Sequence, residues 1–167
     1  MTEIAVDFRL GPDLSSRIVS FWGEGYGGYS HSASLLASGI YLDSRSDVVA
    51  GVPPGVQLRH PDSEPWIRRR RATLAVSTED YWKWEGRLRS HLNDAYDPAS
   101  IWAFITGRNT PGTKGHWICS ALVLDGLQAL DLIPTDFPVP LHQVTPNALL
   151  LVLAALGFTI GPEVWAK

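Results

Sequence analysis

The chain has 167 residues, 45% of them apolar and 19% charged, the balance of a folded globular protein and not of a disordered one. Its formal net charge of -3 offers no general electrostatic attraction for nucleic acid. A single cysteine excludes an internal disulfide and fits a reducing compartment.

With 15 glycines and 12 prolines, turns are frequent, which favours a mixed fold over a helical bundle. Residues 1–20 carry Glu3, Asp7, Arg9, Asp13 and Arg17 and no apolar stretch of the secretory kind. The most apolar run, Leu149 to Leu156, is too short to span a bilayer. The expectation is a cytoplasmic protein without membrane insertion. No linker or repeat divides the chain, so residues 1–167 are read as one domain.

Ile4 to Leu10 alternates weakly, as a first strand or an extended arm, and Gly11-Pro12-Asp13 breaks it. Arg17 to Trp22 is a second strand candidate, rich in β-branched and aromatic residues. Gly23 to Tyr29 holds four glycines in seven residues, a loop able to pass close to a ligand. It lacks the lysine and the following helix of a phosphate-binding loop. Ser30 to Leu36 and Ile40 to Ser44 read as two strands turned by Ala37-Ser38-Gly39. A three-residue loop sets Ala33 opposite Asp43, which then faces the side of His31; a two-residue loop turns Asp43 away.

Val56 to His60 is a short strand candidate. Arg68 to Arg71 lead into Ala72 to Val76, as the solvated start of a strand or a basic patch. Thr78 is the expected N-cap of a helix to about His91 or Leu92, with Tyr81, Trp84, Leu88 and Leu92 facing the core. Ser100 to Thr106 begins another helical stretch, and Gly107 to Gly115 is a polar loop. From Cys119 to about Leu130 the apolar residues suit a helix buried along one face. Ile133 to Pro140 is extended, Thr145-Pro146 caps and opens the last helix, and Gly157 stops it.

The chemistry concentrates in Lys114 to Val123, where the only cysteine opens an apolar helix. A thiol there lies in the positive field of the peptide dipoles, which favours the nucleophilic thiolate. His31 is the candidate base and Asp43 the candidate group that orients it. Against this stand a cysteine that is merely a small buried hydrophobe and a histidine that is merely hydrogen-bonded. His116 and Cys119 have metal-like i, i+3 spacing, but no second Cys/His pair accompanies them. No metal or other cofactor is therefore expected, and no Gly-x-Ser-x-Gly elbow points to a serine nucleophile.

Gly28-Tyr29-Ser30-His31, the hairpin with Asp43, Ala95-Tyr96-Asp97, Trp117 to Val123, and Thr145 to Leu149 follow one another in a telling order. In that order they resemble the circularly permuted branch of the papain-like NlpC superfamily, which includes YiiX-like and YaeF-like proteins and is related to lecithin–retinol acyltransferases. The resemblance covers roughly residues 17 to 156. It implies an α+β, papain-like fold, an antiparallel sheet or small barrel packed against a cysteine-bearing helix. It also implies Cys119 as nucleophile and His31 as general base. Asp43 matches a place where the family often has glutamate or another polar residue, and the Gly-Asp pair often found before the first strand is absent.

The expected activity is that of a cysteine amidase or peptidase, for example on cell-wall-type peptides, through a thioester. Alternatives are acyl transfer or thioester hydrolysis on lipid-type esters, and an inert binding module of the same fold. The Cys119 backbone N–H is the first oxyanion donor. Tyr29 or Tyr26 is the candidate second donor, with Gly28 beside them in the substrate-binding loop. Small-molecule, peptide or acyl substrates are the expected partners, and nucleic acid is not.

Overall fold

The computed structural model describes residues 2–12, 17, 28–48, 51–63, 65–106 and 112–166, the side chains of 103–105 excepted. The first strands are β1 (Thr2–Leu10), β2 (His31–Leu35), β3 (Tyr41–Arg45), β4 (Gly55–Arg59) and β5 (Arg68–Val76). Short strands follow: β6 (Ala95–Tyr96), β7 (His116–Trp117), β8 (Thr159–Ile160) and β9 (Val164–Trp165). The described α-helices are α1 (Thr78–Arg89), α2 (Pro98–Thr106), α3 (Cys119–Gln128) and α4 (Pro146–Ala155).

Seven strands make an antiparallel sheet in the order β4-β3-β2-β1-β5-β8, with β9 also pairing with β5. Among the described residues no ladder joins β4 to β8 or β9, and the sheet they form is open. The segment read as a first strand or an arm is a central strand, held by β2 on one side and β5 on the other. β6 and β7 form a separate parallel pair that delivers the chain to Cys119. The strand expected over Arg17 to Trp22, all but Arg17, lies outside the described residues, as do Gly23 to Gly27 with Tyr26. So do parts of the loops around 49–50 and 107–111.

Cross-strand partners share a face, so the register divides the sheet into two unlike sides. One side carries Ile4, Val6, Phe8, Leu42, Val56 and Ala72. These pack in a single core with Tyr81, Trp84 and Leu88 of α1, Leu122 and Leu127 of α3, and Leu149 and Leu153 of α4. Trp84, Leu88 and Leu122 are fully buried, each contributing about 1.5–3 kcal/mol by removal from water. Gly126 lets α1 and α3 approach: a Cβ there would stand 2.9 Å from Leu88 and 3.0 Å from Trp84. The other side carries Asp7, Arg9, His31, Asp43, Gln57, Arg59, Arg69 and Arg71, a polar face on which Asp7 and Asp43 are almost wholly buried.

The helix ends follow local chemistry with small shifts from expectation. Ser77, not Thr78, caps α1, its hydroxyl accepting from the Asp80 N–H at 3.0 Å, and the helix ends at Arg89. Thr145 caps α4 as expected, accepting from the Ala148 N–H at 3.1 Å, and Gly157 stops it with φ +86°. Arg68 to Arg71 are not a solvated preface: they are the first four residues of β5 and are half-buried. Arg71 holds Asp7 through two bonds of 2.6 and 3.0 Å, and Arg68 reaches the Gly28 carbonyl at 2.8 Å. Among the described residues no helix is long and apolar enough to cross a membrane.

Candidate active site

The site forms where two neighbouring strands part. β2 and β3 are paired at Leu35–Tyr41 and Ser34–Leu42 and no further, while β1 follows β2 down to His31 and β4 follows β3 to Arg45. The N-terminus of α3 packs against both strands at that divergence. Ser44 of β3 fastens it there, donating from its hydroxyl to the Trp117 carbonyl at 2.7 Å. The hairpin turns with the three-residue geometry, which sets Asp43 on the same side as His31. The ring Nε2 lies 2.8 Å from Asp43 Oδ2. With Nε2 donating to the carboxylate, Nδ1 is the nitrogen left for the sulfur.

Cys119 begins α3 and lies near enough to His31 for each to shift the other's proton affinity. The N-caps of α1 and α4 satisfy a first-turn N–H with a hydroxyl. The N-cap of α3 is Ile118, which has no such group. Its first-turn amides are thus left uncapped by their own N-cap residue, at the turn that carries the thiol. Cys119 is 7% exposed and the His31 side chain 15%, so the pair is set in from the surface with solvent contact retained at both.

The charges reinforce one another. Burial pushes the Cys119 thiol up, but the positive field of His31 outweighs it, the neighbouring Ser32 adds to it, and the thiol is held below its ordinary range. Burial likewise opposes the His31 imidazolium, yet the Cys119 charge and the bond to Asp43 raise its proton affinity. For Asp43 burial is again adverse; His31 and Arg59 overcome it and bring the carboxyl down to about 2. Opposed shifts of this kind in neighbouring groups favour moving the proton from the thiol towards the imidazole.

Of the residues singled out in the sequence, Cys119, His31 and Asp43 are brought together. Tyr29 and Gly28 are placed differently from the expected substrate loop. Tyr29 is 5% exposed, its ring against Phe8 and its hydroxyl donating to Glu163 at 2.7 Å; burial and that carboxylate push the phenol up to about 12. Its N–H donates to Asn147 Oδ1 at 2.7 Å. Gly28 lies so close to Asn147 that a Cβ would stand 2.0 Å from its Nδ2. Both residues join the irregular segment before His31 to α4, and a buried phenol with a satisfied hydroxyl is a packing element. Tyr26 lies outside the described residues.

A third tyrosine, Tyr96, feels the charge of Cys119. Burial and the Cys119 charge both push its phenol up. Its neighbour Asp97 is structural: its carboxylate accepts from the Ala99, Ser100 and Thr113 N–H groups and the Ser100 hydroxyl. His116, three residues before Cys119, has its Nδ1 3.2 Å from the Tyr96 carbonyl. Tyr96 stands in the sequence only within Ala95-Tyr96-Asp97, and no local signal marks Arg59, whose guanidinium grips Asp43. Parity along Val56 to Arg59 would have put Arg59 on the face of Asp43 only once the β3–β4 register was known. Among protein-family models and curated proteins, none matches this chain.

Proposed function

We propose that this protein is a cysteine-dependent hydrolase of amide bonds in small peptides, working through a thioester on a papain-like, permuted NlpC-type fold. One observation carries the reading: the only cysteine starts a helix beside a histidine whose far nitrogen is held by a buried carboxylate. His31 Nδ1 takes the thiol proton, and the sulfur attacks the acyl carbonyl. The Cys119 N–H, at the positive end of α3, and the Tyr96 hydroxyl serve the tetrahedral oxyanion. His31 then protonates the departing amine, leaving the acyl group on sulfur. Water attacks the thioester, gives its proton to His31, and the thiolate leaves as the acid product forms. Asp43 keeps the imidazole in the tautomer and orientation these transfers need.

The test is acyl-enzyme trapping. Incubation with peptide anilides, and in parallel with acyl esters and thioesters, is expected to give a mass adduct on Cys119. Cys119→Ala should form none. Turnover of the ester or thioester set alone would move the assignment to acyl transfer on lipid-type substrates. Iodoacetamide labelling at the rate of an unassisted thiol, unchanged by His31→Ala, would overturn the nucleophile–base pair and leave an inert module.

A further inference from the structure

We propose that Arg59 is a positioning residue for the site, acting through Asp43 as the fourth member of a buried chain of alternating charges. The proposal rests on reading Cys119 and His31 as nucleophile and base. Arg59 comes from β4, a strand beyond the one that carries Asp43, and its side chain is 5% exposed. Its Nε donates to Asp43 Oδ1 at 3.1 Å and its Nη2 to Oδ2, the oxygen that also accepts from His31. A two-point grip by a planar fork prevents the carboxylate from rotating. Whatever fixes Asp43 fixes the plane of the imidazole that depends on it.

The charges give the second argument. Thiolate, imidazolium, carboxylate and guanidinium read minus, plus, minus, plus, and sum to zero. Without Arg59 the same buried chain would hold a net negative charge, which a low-dielectric setting disfavours by protonating an acid. The other charged groups near Arg59 do not substitute for it. Arg45 and Asp47 pair with each other at 2.5 and 2.6 Å, and Tyr41, opposite Arg59, donates to Asp7. Gln57, opposite Asp43, is neutral and donates to the Pro53 carbonyl at 2.6 Å. Arg9 lies over the Tyr41 ring, and burial and the Cys119 charge push the Tyr96 phenol up.

The experiment is the pH dependence of Cys119 alkylation by iodoacetamide, which needs no knowledge of the substrate. In Arg59→Met, checked for folding by circular dichroism and thermal melting, the acid limb should move up by about one pH unit. That is about a tenfold loss of rate at a fixed pH on the limb. Arg59→Lys, which keeps the charge and loses the fork, should bring the limb back but lower the plateau by about tenfold. An unmoved limb in a folded Met variant overturns the proposal. If the Met variant does not fold, the Lys variant decides: a lowered plateau supports the role, and wild-type kinetics overturn it. A wild-type protein whose limb ignores His31→Ala would overturn the nucleophile–base reading itself, an outcome distinct from failure of Arg59 alone.

Discussion

The polar face of the sheet carries two buried carboxylates, and the contrast between them separates structure from chemistry. Asp43 and Asp7 are both almost inaccessible, and each is held by two nitrogens of one arginine, Arg59 or Arg71. The remaining partners differ. Asp7 accepts from the Tyr41 hydroxyl, a neutral donor, and has Arg69 Nη1 3.9 Å away. Asp43 accepts from His31, which in turn lies near the Cys119 thiol. The arginines differ too: the Arg71 side chain is 42% exposed and that of Arg59 only 5%. A buried ion pair by itself is therefore a common device of this sheet, used at Asp7 to join β1 to β5. A titratable, nucleophile-bearing continuation is what sets the Asp43 cluster apart.

The contrast breaks most sharply at the nucleophile and base. Cys119→Ala should abolish turnover, and His31→Ala should reduce it at least about a thousandfold, with little change in the melting curve. The sign of the thiol shift adds a check. A lowered thiol keeps its reactive thiolate as pH falls below the ordinary thiol range, losing it only on passing the lowered value. Alkylation at neutral pH should thus outpace that of a free cysteine, and His31→Ala should restore the ordinary profile.

Asp43→Asn should come next, lowering turnover by about a hundred- to ten-thousandfold because the amide can orient the wrong imidazole tautomer. It should also change the acid stability. The Asp43 carboxyl is depressed to about 2, so its contribution is complete above the unfolded carboxyl value of about 4 and is lost as pH falls towards 2. Denaturant melts across that window should lose a component in the Asn variant.

Asp7→Asn should do the reverse: turnover per folded molecule stays near wild type while stability falls by about 2–3 kcal/mol. That is less than a fully buried pair would cost, because Arg71 can turn to water. The smallest effect is expected of Tyr41→Phe, which leaves Asp7 with Arg71 and should cost about 1–2 kcal/mol in urea unfolding. A large loss of turnover in Asp7→Asn, with the fold intact, would erase the distinction between the two clusters.

Much of this arrangement was legible before any coordinates. The His31 hairpin, the α1 core positions and the Thr145 cap follow from periodicity and capping chemistry that act over a few residues. Other points were not legible. Ile4 to Leu10 read equally as a strand or an arm, and its central place in the sheet stayed hidden, because a charge buried by a cross-strand partner, as at Asp7, has the same pattern as a charge facing water. Tyr29 looked like a ligand contact, because nothing local reveals that Glu163 and Asn147, more than a hundred residues away, occupy its hydroxyl and N–H.

The sequence alone determined which residue types stand at the start of α3 and on the hairpin strands, since one cysteine and short-range propensities left few choices. Tertiary structure decided the parity of Asp43, the parting of β2 and β3, and the recruitment of Arg59. Those depend on register and on contacts between distant strands. A one-residue slip would turn every one of these side chains to the other face of the sheet.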